Sequence, residues 1–386
     1  MADFHFAVRP KVWLGPDTLL RLPLLAGEFA GQAAPRALLV ADPLLYESKT
    51  VDRVRSLLED RGIQVLVFDE IPDRATSRTA DDLLRIARGS RAPLVVSLGG
   101  IQTLMLARAV AVAAPSRLDI DSLLDGKTTG CEGLPLVEIP TSLRHGFMTS
   151  DCFVLTDGRD RRCRLVSAAG SAPAAVLIDP NLAAGLSPKI AAPCVLDGLM
   201  GAVEAYVSAR SSFMSDLILE KAIASLAKAL GSLLARPDDP SARADAWRGS
   251  FLAAVGQGMS APGIGTALSL TINAHFPVPK SSLAAILLPY SLEAASKSRL
   301  EKVAGLLPLL GEESGAIPDS EAAAKTVEWL RTRLGLLKIP SRLKDFDLSL
   351  DRLVETARDA RELDFMNYLP RAVSVDDVFD FVKTAF

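Results

Sequence analysis

Histidine is scarce in this chain of 386 residues. Only His5, His145 and His275 carry an imidazole, which limits any histidine-built metal site. Cysteine is also sparse. Cys131, Cys152, Cys163 and Cys194 form neither a CxxC pair nor the framework of a small secreted domain, so reduced, buried thiols are expected. There is no surplus of positive charge: 43 Lys and Arg face 46 Asp and Glu, for a formal net charge of −3. Without a long basic block, nucleic acid is not an expected partner. The richest apolar run, Leu283 to Pro289, is far shorter than the ~18 residues of a bilayer span, so no membrane segment is expected. The start, Met-Ala-Asp-Phe-His-Phe, lacks the basic and apolar regions of a secretory signal, which implies a cytoplasmic location. What is present is a globular composition, 49% hydrophobic and 23% charged, with length for two domains.

The first half alternates short apolar runs with helical periodicity. Strands are expected at 6–14, 37–41, 64–68, 93–98, 136–139, 152–156 and 174–178. Helices are expected at 17–27, with Asp17 as N-cap, and at 49–61, 79–88 and 102–113. The charged stretch 157–164 reads as a solvated hairpin tip. Strands alternating with helices imply βαβ units and a doubly wound, Rossmann-like parallel sheet. From residue 183 the strand signals stop. Ala/Leu-rich helical segments follow at 190–208, 215–234, 244–259, 282–297, 300–310, 320–334 and 349–361. The chain is therefore expected to divide into an α/β domain, 1–182, and an all-helical domain, 183–386.

Gly99-Gly100 follows the fourth apolar run and opens a helix. Such a turn lets backbone amides approach a phosphate. Five segments then occur in a definite order: Ser97-Leu-Gly-Gly-Ile-Gln, Leu136-Val-Glu-Ile-Pro-Thr-Ser142, Ala175-Val-Leu-Ile-Asp-Pro-Asn181, Asp197-Gly-Leu-Met-Gly-Ala-Val-Glu-Ala-Tyr206 and Ala284-Ala-Ile-Leu-Leu-Pro289. Over nearly its whole length the chain resembles the iron-type (group III) alcohol dehydrogenases, of the dehydroquinate synthase-like superfamily that includes maleylacetate reductase. The resemblance implies an NAD or NADP site formed by Gly99, Gly100, Thr141, Ser142 and the ribose candidate Asp42. It also implies a homodimer formed through an edge strand, with 6–14 as the candidate.

The match to the family's functional motifs is incomplete. In the phosphate motif G-G-G-S-x-x-D-x-A-K, Ile101, Gln102, Met105 and Arg108 replace the third glycine, the serine, the aspartate and the lysine. A branched side chain at Ile101 is expected to resist positive φ and to crowd a pyrophosphate, so nucleotide binding is expected to be weak. In I-P-T-T-A-G-T-G-S-E, Arg144 and Phe147 bring bulk where glycine and serine stand. Of the family's metal ligands Asp197 remains, while the three histidine places fall on Gly201, Thr266 and Lys280. Leu270 replaces a further histidine. No metal is expected, and Lys280, fixed by Asp197, is expected to supply the positive charge instead. Lys280 could equally be an ordinary lysine of the Pro277-Val278-Pro279 loop. The expected activity is a metal-independent NAD(P)-linked oxidation or reduction of a small alcohol or carbonyl compound, with Lys280 and Asp197 as the catalytic pair. The alternatives are a non-catalytic binding or regulatory homologue, or different chemistry on an anionic ligand gripped by Arg108 and Arg144.

Overall fold

The computed structural model describes residues 10–30, 35–72, 75–168, 170–236, 239–313 and 315–386. Contacts divide the chain at Gly185, into an α/β unit ending there and a helical unit running from Leu186 to Phe386. The division lies slightly beyond the boundary expected after residue 182.

In the α/β unit the elements are β1 (Lys11–Leu14), α1 (Leu22–Phe29), β2 (Arg36–Ala41), α2 (Thr50–Glu59), β3 (Gln64–Phe68), α3 (Ser77–Ser90), β4 (Val95–Gly99), α4 (Ile101–Ala113), α5 (Ile120–Leu124), β5 (Leu136–Pro140), β6 (Cys152–Thr156), β7 (Cys163–Ser167) and β8 (Ala175–Ile178). Among the described residues six strands form a parallel sheet in the order β1-β8-β5-β4-β2-β3. The inner strands read as unbroken apolar runs because helices cover both faces. Leu38 and Val40 pack with α3, α4 and α5 on one face, while Ala37, Leu39 and Ala41 pack with α1 and α2 on the other.

Two expectations need correction here, and part of a third cannot be compared with the structure. Asp17 caps nothing through its side chain; it takes a left-handed φ of 59° ahead of a short 3-10 turn, Thr18–Arg21, and α1 starts at Leu22. Residues 6–9 of the first expected strand lie outside the described residues. The charged stretch 157–164 is the tip of a β6–β7 hairpin, but β7 begins within it, and the Asp157 side chain is wholly buried between Arg159 and Arg164. Its centre is an ion-pair network, not solvated turn.

The helical unit contains α6 (Pro188–Val207), α7 (Phe213–Ala235), α8 (Pro240–Met259), α9 (Ile264–His275), α10 (Lys280–Ser296), α11 (Leu300–Ala304), α12 (Leu306–Leu309), α13 (Asp319–Leu336), α14 (Leu350–Glu362) and α15 (Val375–Ala385). The expected helix 300–310 is broken at Gly305 into α11 and α12. Helices α9 and α15 were not expected. Helix α6 is long and apolar enough to meet the length and composition of a membrane span, contrary to the run-length reading. Most of its residues are buried, however, and it packs against α7, α8 and α10, so it is a core helix of this unit. All four cysteines are free thiols; Cys163 and Cys194 are buried as expected, whereas Cys131 is exposed and Cys152 half-buried.

Candidate functional site

From β2 the sheet extends to β3 on one side and to β4, β5 and β8 on the other. The topological switch therefore lies between β2 and β4, where α/β sheets bind ligands beyond their carboxyl ends. β2 is followed by Asp42, whose Oδ1 accepts a 3.1 Å bond from Leu44 N and fixes the following turn. β4 ends at Gly99, with φ of 156°. A Cβ there would lie 2.8 Å from Thr103 Oγ1 and 2.9 Å from Asp42 Cβ, so only glycine fits. Gly100 precedes α4 and brings no capping side chain to the helix N-terminus. After β5, Thr141 N donates to Gly99 O at 3.0 Å, and Ser142 Oγ donates to Arg144 O at 3.4 Å. Asp42, Gly99, Gly100, Thr141 and Ser142 are thus gathered at one end of the sheet.

Ile101 departs from the expectation of strain. It is the first residue of α4, needs no positive φ, and packs its half-buried side chain against the apolar core. Gln102 Oε1 accepts from Ala75 N at 3.2 Å. Arg108 also departs: it grips no outside anion, because its side chain is wholly buried. Its Nε and Nη2 donate to the two oxygens of Glu138 at 2.7 and 3.0 Å. Nη1 lies within 2.9 to 3.1 Å of the carbonyls of Phe147, Ser150 and Cys152.

His145 joins this cluster, its Nε2 lying 2.8 Å from Glu138 Oε2. Burial holds the imidazole below its ordinary value of 6.5, against the pull of Glu138. The ring is then neutral at pH 7 and its Nε2–H donates to the carboxylate. Burial alone would raise the Glu138 carboxyl, but Arg108 and then His145 bring it down from 4.5 to about 2. Both shifts have the same sign for stability. Between each folded value and its ordinary value the unfolded chain binds more protons, so stability falls as pH drops. Denaturant midpoints are expected to decrease first below about pH 6.5, through His145, and again below about 4.5, through Glu138. His145→Gln, which keeps a donor for Glu138, should flatten the first decline; an unchanged profile would contradict this account.

In the helical unit, Asp197 sits in the middle of α6 and Lys280 begins α10, so Lys280 is not a loop lysine. The Lys280 ammonium donates to Asp197 Oδ1, with the two side chains 13% and 3% exposed. A Cβ on Gly201, one turn along α6, would fall 2.8 Å from both amide atoms of Gln257, which occupies the space beside it. Thr266 faces elsewhere. Its N and Oγ1 both donate to Glu204 Oε2, at 3.1 and 2.6 Å.

Glu204 was not anticipated as a site residue. Its buried carboxylate also accepts from Gly263 N, Gly265 N and Ser291 Oγ, at 2.9, 2.6 and 3.0 Å, and so caps α9 from a neighbouring helix. A carboxylate in an otherwise apolar helical segment was the available signal. His275, at the end of α9, places Nε2 2.8 Å from Asp359 Oδ2 and ties α9 to α14. A cavity of about 650 Å³ in this unit is lined by Glu204, Gly263 and Ser291 together with Ile264, Tyr290 and Tyr368, and includes neither Asp197 nor Lys280.

The α/β unit is a doubly wound sheet with a glycine turn at its switch point, and the helical unit holds a buried carboxylate on α6. The chain belongs to the iron-containing alcohol dehydrogenase family: the family model matches residues 10–180, and the model of the family's C-terminal part matches 191–386. It is similar to long-chain-alcohol dehydrogenase 1 of Geobacillus thermodenitrificans, with 28% identity over 88% of this chain and 86% of that one. Its fold matches the crystal structure of 1,3-propanediol oxidoreductase with a TM-score of 0.93 at 22% identity, covering 100% of both chains. The sulfoacetaldehyde reductase of Bifidobacterium kashiwanohense, solved with NAD+, matches with a TM-score of 0.85 at 19% identity over 100% and 99% of the two chains.

Proposed function

We propose that the chain is an NAD-linked oxidoreductase of the alcohol dehydrogenase type, acting on a small alcohol or carbonyl compound without a divalent metal. The observation that carries the reading is the ammonium of Lys280 on Asp197. A borderline cation requires three or four N, O or S ligands. Here the one carboxylate is salted by lysine, Gln257 fills the space at Gly201, and Thr266 is committed to Glu204. Among the described residues no group of three or more His, Cys, Asp and Glu is arranged to hold a metal ion. The donor set does not fit iron or zinc.

The residues at the switch point do fit a nicotinamide dinucleotide. Gly99 and Gly100 put no side chain at the start of α4, the end of a helix that suits a pyrophosphate, and Thr141 and Ser142 border the same turn. The NAD+ of the sulfoacetaldehyde reductase supports this assignment by fold. When bound, the cofactor supplies or accepts the hydride. In the helical unit the Lys280 ammonium, held by Asp197, is the group that would stabilise negative charge developing on a substrate oxygen. Asp42, the residue after β2, would accept from a ribose hydroxyl and repel a 2′-phosphate, which is the ground for proposing NAD over NADP.

The test is carbonyl reduction by the purified chain with NADH and with NADPH, before and after chelation, alongside elemental analysis. Turnover that prefers NADH, survives chelation and proceeds with far less than one metal per chain is expected. One iron or zinc per chain, or activity abolished by chelation and restored by metal, overturns the metal-free assignment. Asp42→Gly should narrow the preference for NADH by roughly tenfold or more, equivalent to about 1.4 kcal/mol; an unchanged ratio removes Asp42 from the ribose site.

A further inference from the structure

We infer that Arg108 is a positioning residue that presets the loop after β5 as one wall of the nucleotide site. The inference rests on the NAD-linked reading proposed above. Arg108 is the only charged residue of α4, the helix that begins at the Gly99-Gly100 turn. It is wholly buried, and a charge in such a place must be paired and hydrogen-bonded. Glu138, in the otherwise apolar strand β5, supplies the matching charge through two bonds to the guanidinium.

The remaining N–H groups are spent on one segment. They reach the carbonyls of Phe147, Met148, Ser150 and Cys152, at distances from 2.9 to 3.4 Å. His145, from the same segment, closes on the Glu138 carboxylate. Thus one planar five-donor group connects α4, β5 and the chain from 145 to 152. A lysine ammonium, with three donors around a point charge, cannot span the same set.

The segment so held is bent. Leu143 is fully buried at φ 56°, a left-handed conformation that a bulky residue adopts only when its surroundings impose it. At one end of the bend Thr141 N is bonded to Gly99 O, and Ser142 Cβ lies 4.0 Å from where a Cβ on Gly100 would stand. At the other end stands the grip of Arg108. The shape of residues 141–152 therefore follows from Arg108, and with it the position of Thr141 and Ser142 beside the phosphate turn.

The experiment uses the full chain without nucleotide. Hydrogen–deuterium exchange should show the amides of 141–151 already protected in the wild type, with little further change on adding NADH. Exchange as fast as in exposed loops, with protection appearing only with NADH, overturns the inference, and this measurement needs no variant. In Arg108→Lys, exchange at 141–151 should rise at least tenfold while α6 to α10 stay unchanged, and calorimetry should show NADH affinity about tenfold weaker. Glu138→Gln should move both readouts in the same direction, and serves if the lysine variant does not fold. Wild-type affinity retained in a variant whose loop exchanges faster overturns the positioning role while leaving the NAD-linked reading intact. Failure of the wild type to bind either NADH or NADPH overturns that reading and this inference with it.

Discussion

Lys280→Ala is expected to lower the stability of the chain by about 3 kcal/mol, because it leaves Asp197 as an uncompensated buried charge. The Asp197 side chain is 3% exposed and sits at the middle of α6, where water does not replace the ammonium. The effect should therefore exceed that of any surface ion pair in the molecule, for which about 0–1 kcal/mol is typical. The double variant Asp197→Asn with Lys280→Ala removes both charges and should cost less than Asp197→Asn and Lys280→Ala added together. Denaturant unfolding of the four proteins measures this directly; strict additivity, or a Lys280→Ala midpoint equal to wild type, would falsify the pairing. If the ammonium also serves the carbonyl, Lys280→Met should reduce turnover by roughly 10²–10³ while leaving NADH binding in place.

Glu204→Ala is expected to be comparably severe, at about 3 kcal/mol or more, since it strips partners from several buried donors at once. Gly263 N, Gly265 N, Thr266 N, Thr266 Oγ1 and Ser291 Oγ all converge on that carboxylate. Glu204→Gln is the sharper experiment because it keeps the shape. Every partner donates, so an amide NH₂ in place of either oxygen meets N–H or O–H groups head on. Ser291 can rotate its hydroxyl to accept, but Gly265 N, at 2.6 Å, cannot. The isosteric change should then cost nearly as much as alanine. A glutamine variant within about 0.5 kcal/mol of wild type, the range of an ordinary surface substitution, would show that the carboxylate is not what caps α9.

The parallel sheet was legible in the sequence because its inner strands are buried on both faces and appear as apolar runs. β7 was not, because Cys163–Ser167 is flanked by charges whose partners, such as Asp157, are brought in by the hairpin itself. Helix α9 escaped notice because Ile264–His275 carries Gly, Ser and Thr and no acidic first turn; Glu204 provides its cap from another helix. Lys280 was placed opposite Asp197 through resemblance and counting back from Pro289, and the structure brings the two together. Arg108 was misread because its partner lies thirty positions away in sequence. A lone arginine in an apolar helix and a lone glutamate in an apolar strand had to find each other, and that complementarity was the signal.

Helix α6 also has a history during synthesis. Pro188–Val207 emerges from the ribosome before α7, α8 and α10, the helices that later enclose it. Until they arrive it is an exposed stretch of the kind that aggregates or partitions into a bilayer. Its two carboxylates oppose both fates. When α6 is first made, neither Lys280 nor the amides at Gly263, Gly265 and Thr266 exist, so Asp197 and Glu204 have none of these folded-state partners. A central acidic residue costs about 2.5–3.5 kcal/mol to insert into a membrane. The charges that are sealed into the finished core therefore act as solubilising groups while the covering helices are still being translated.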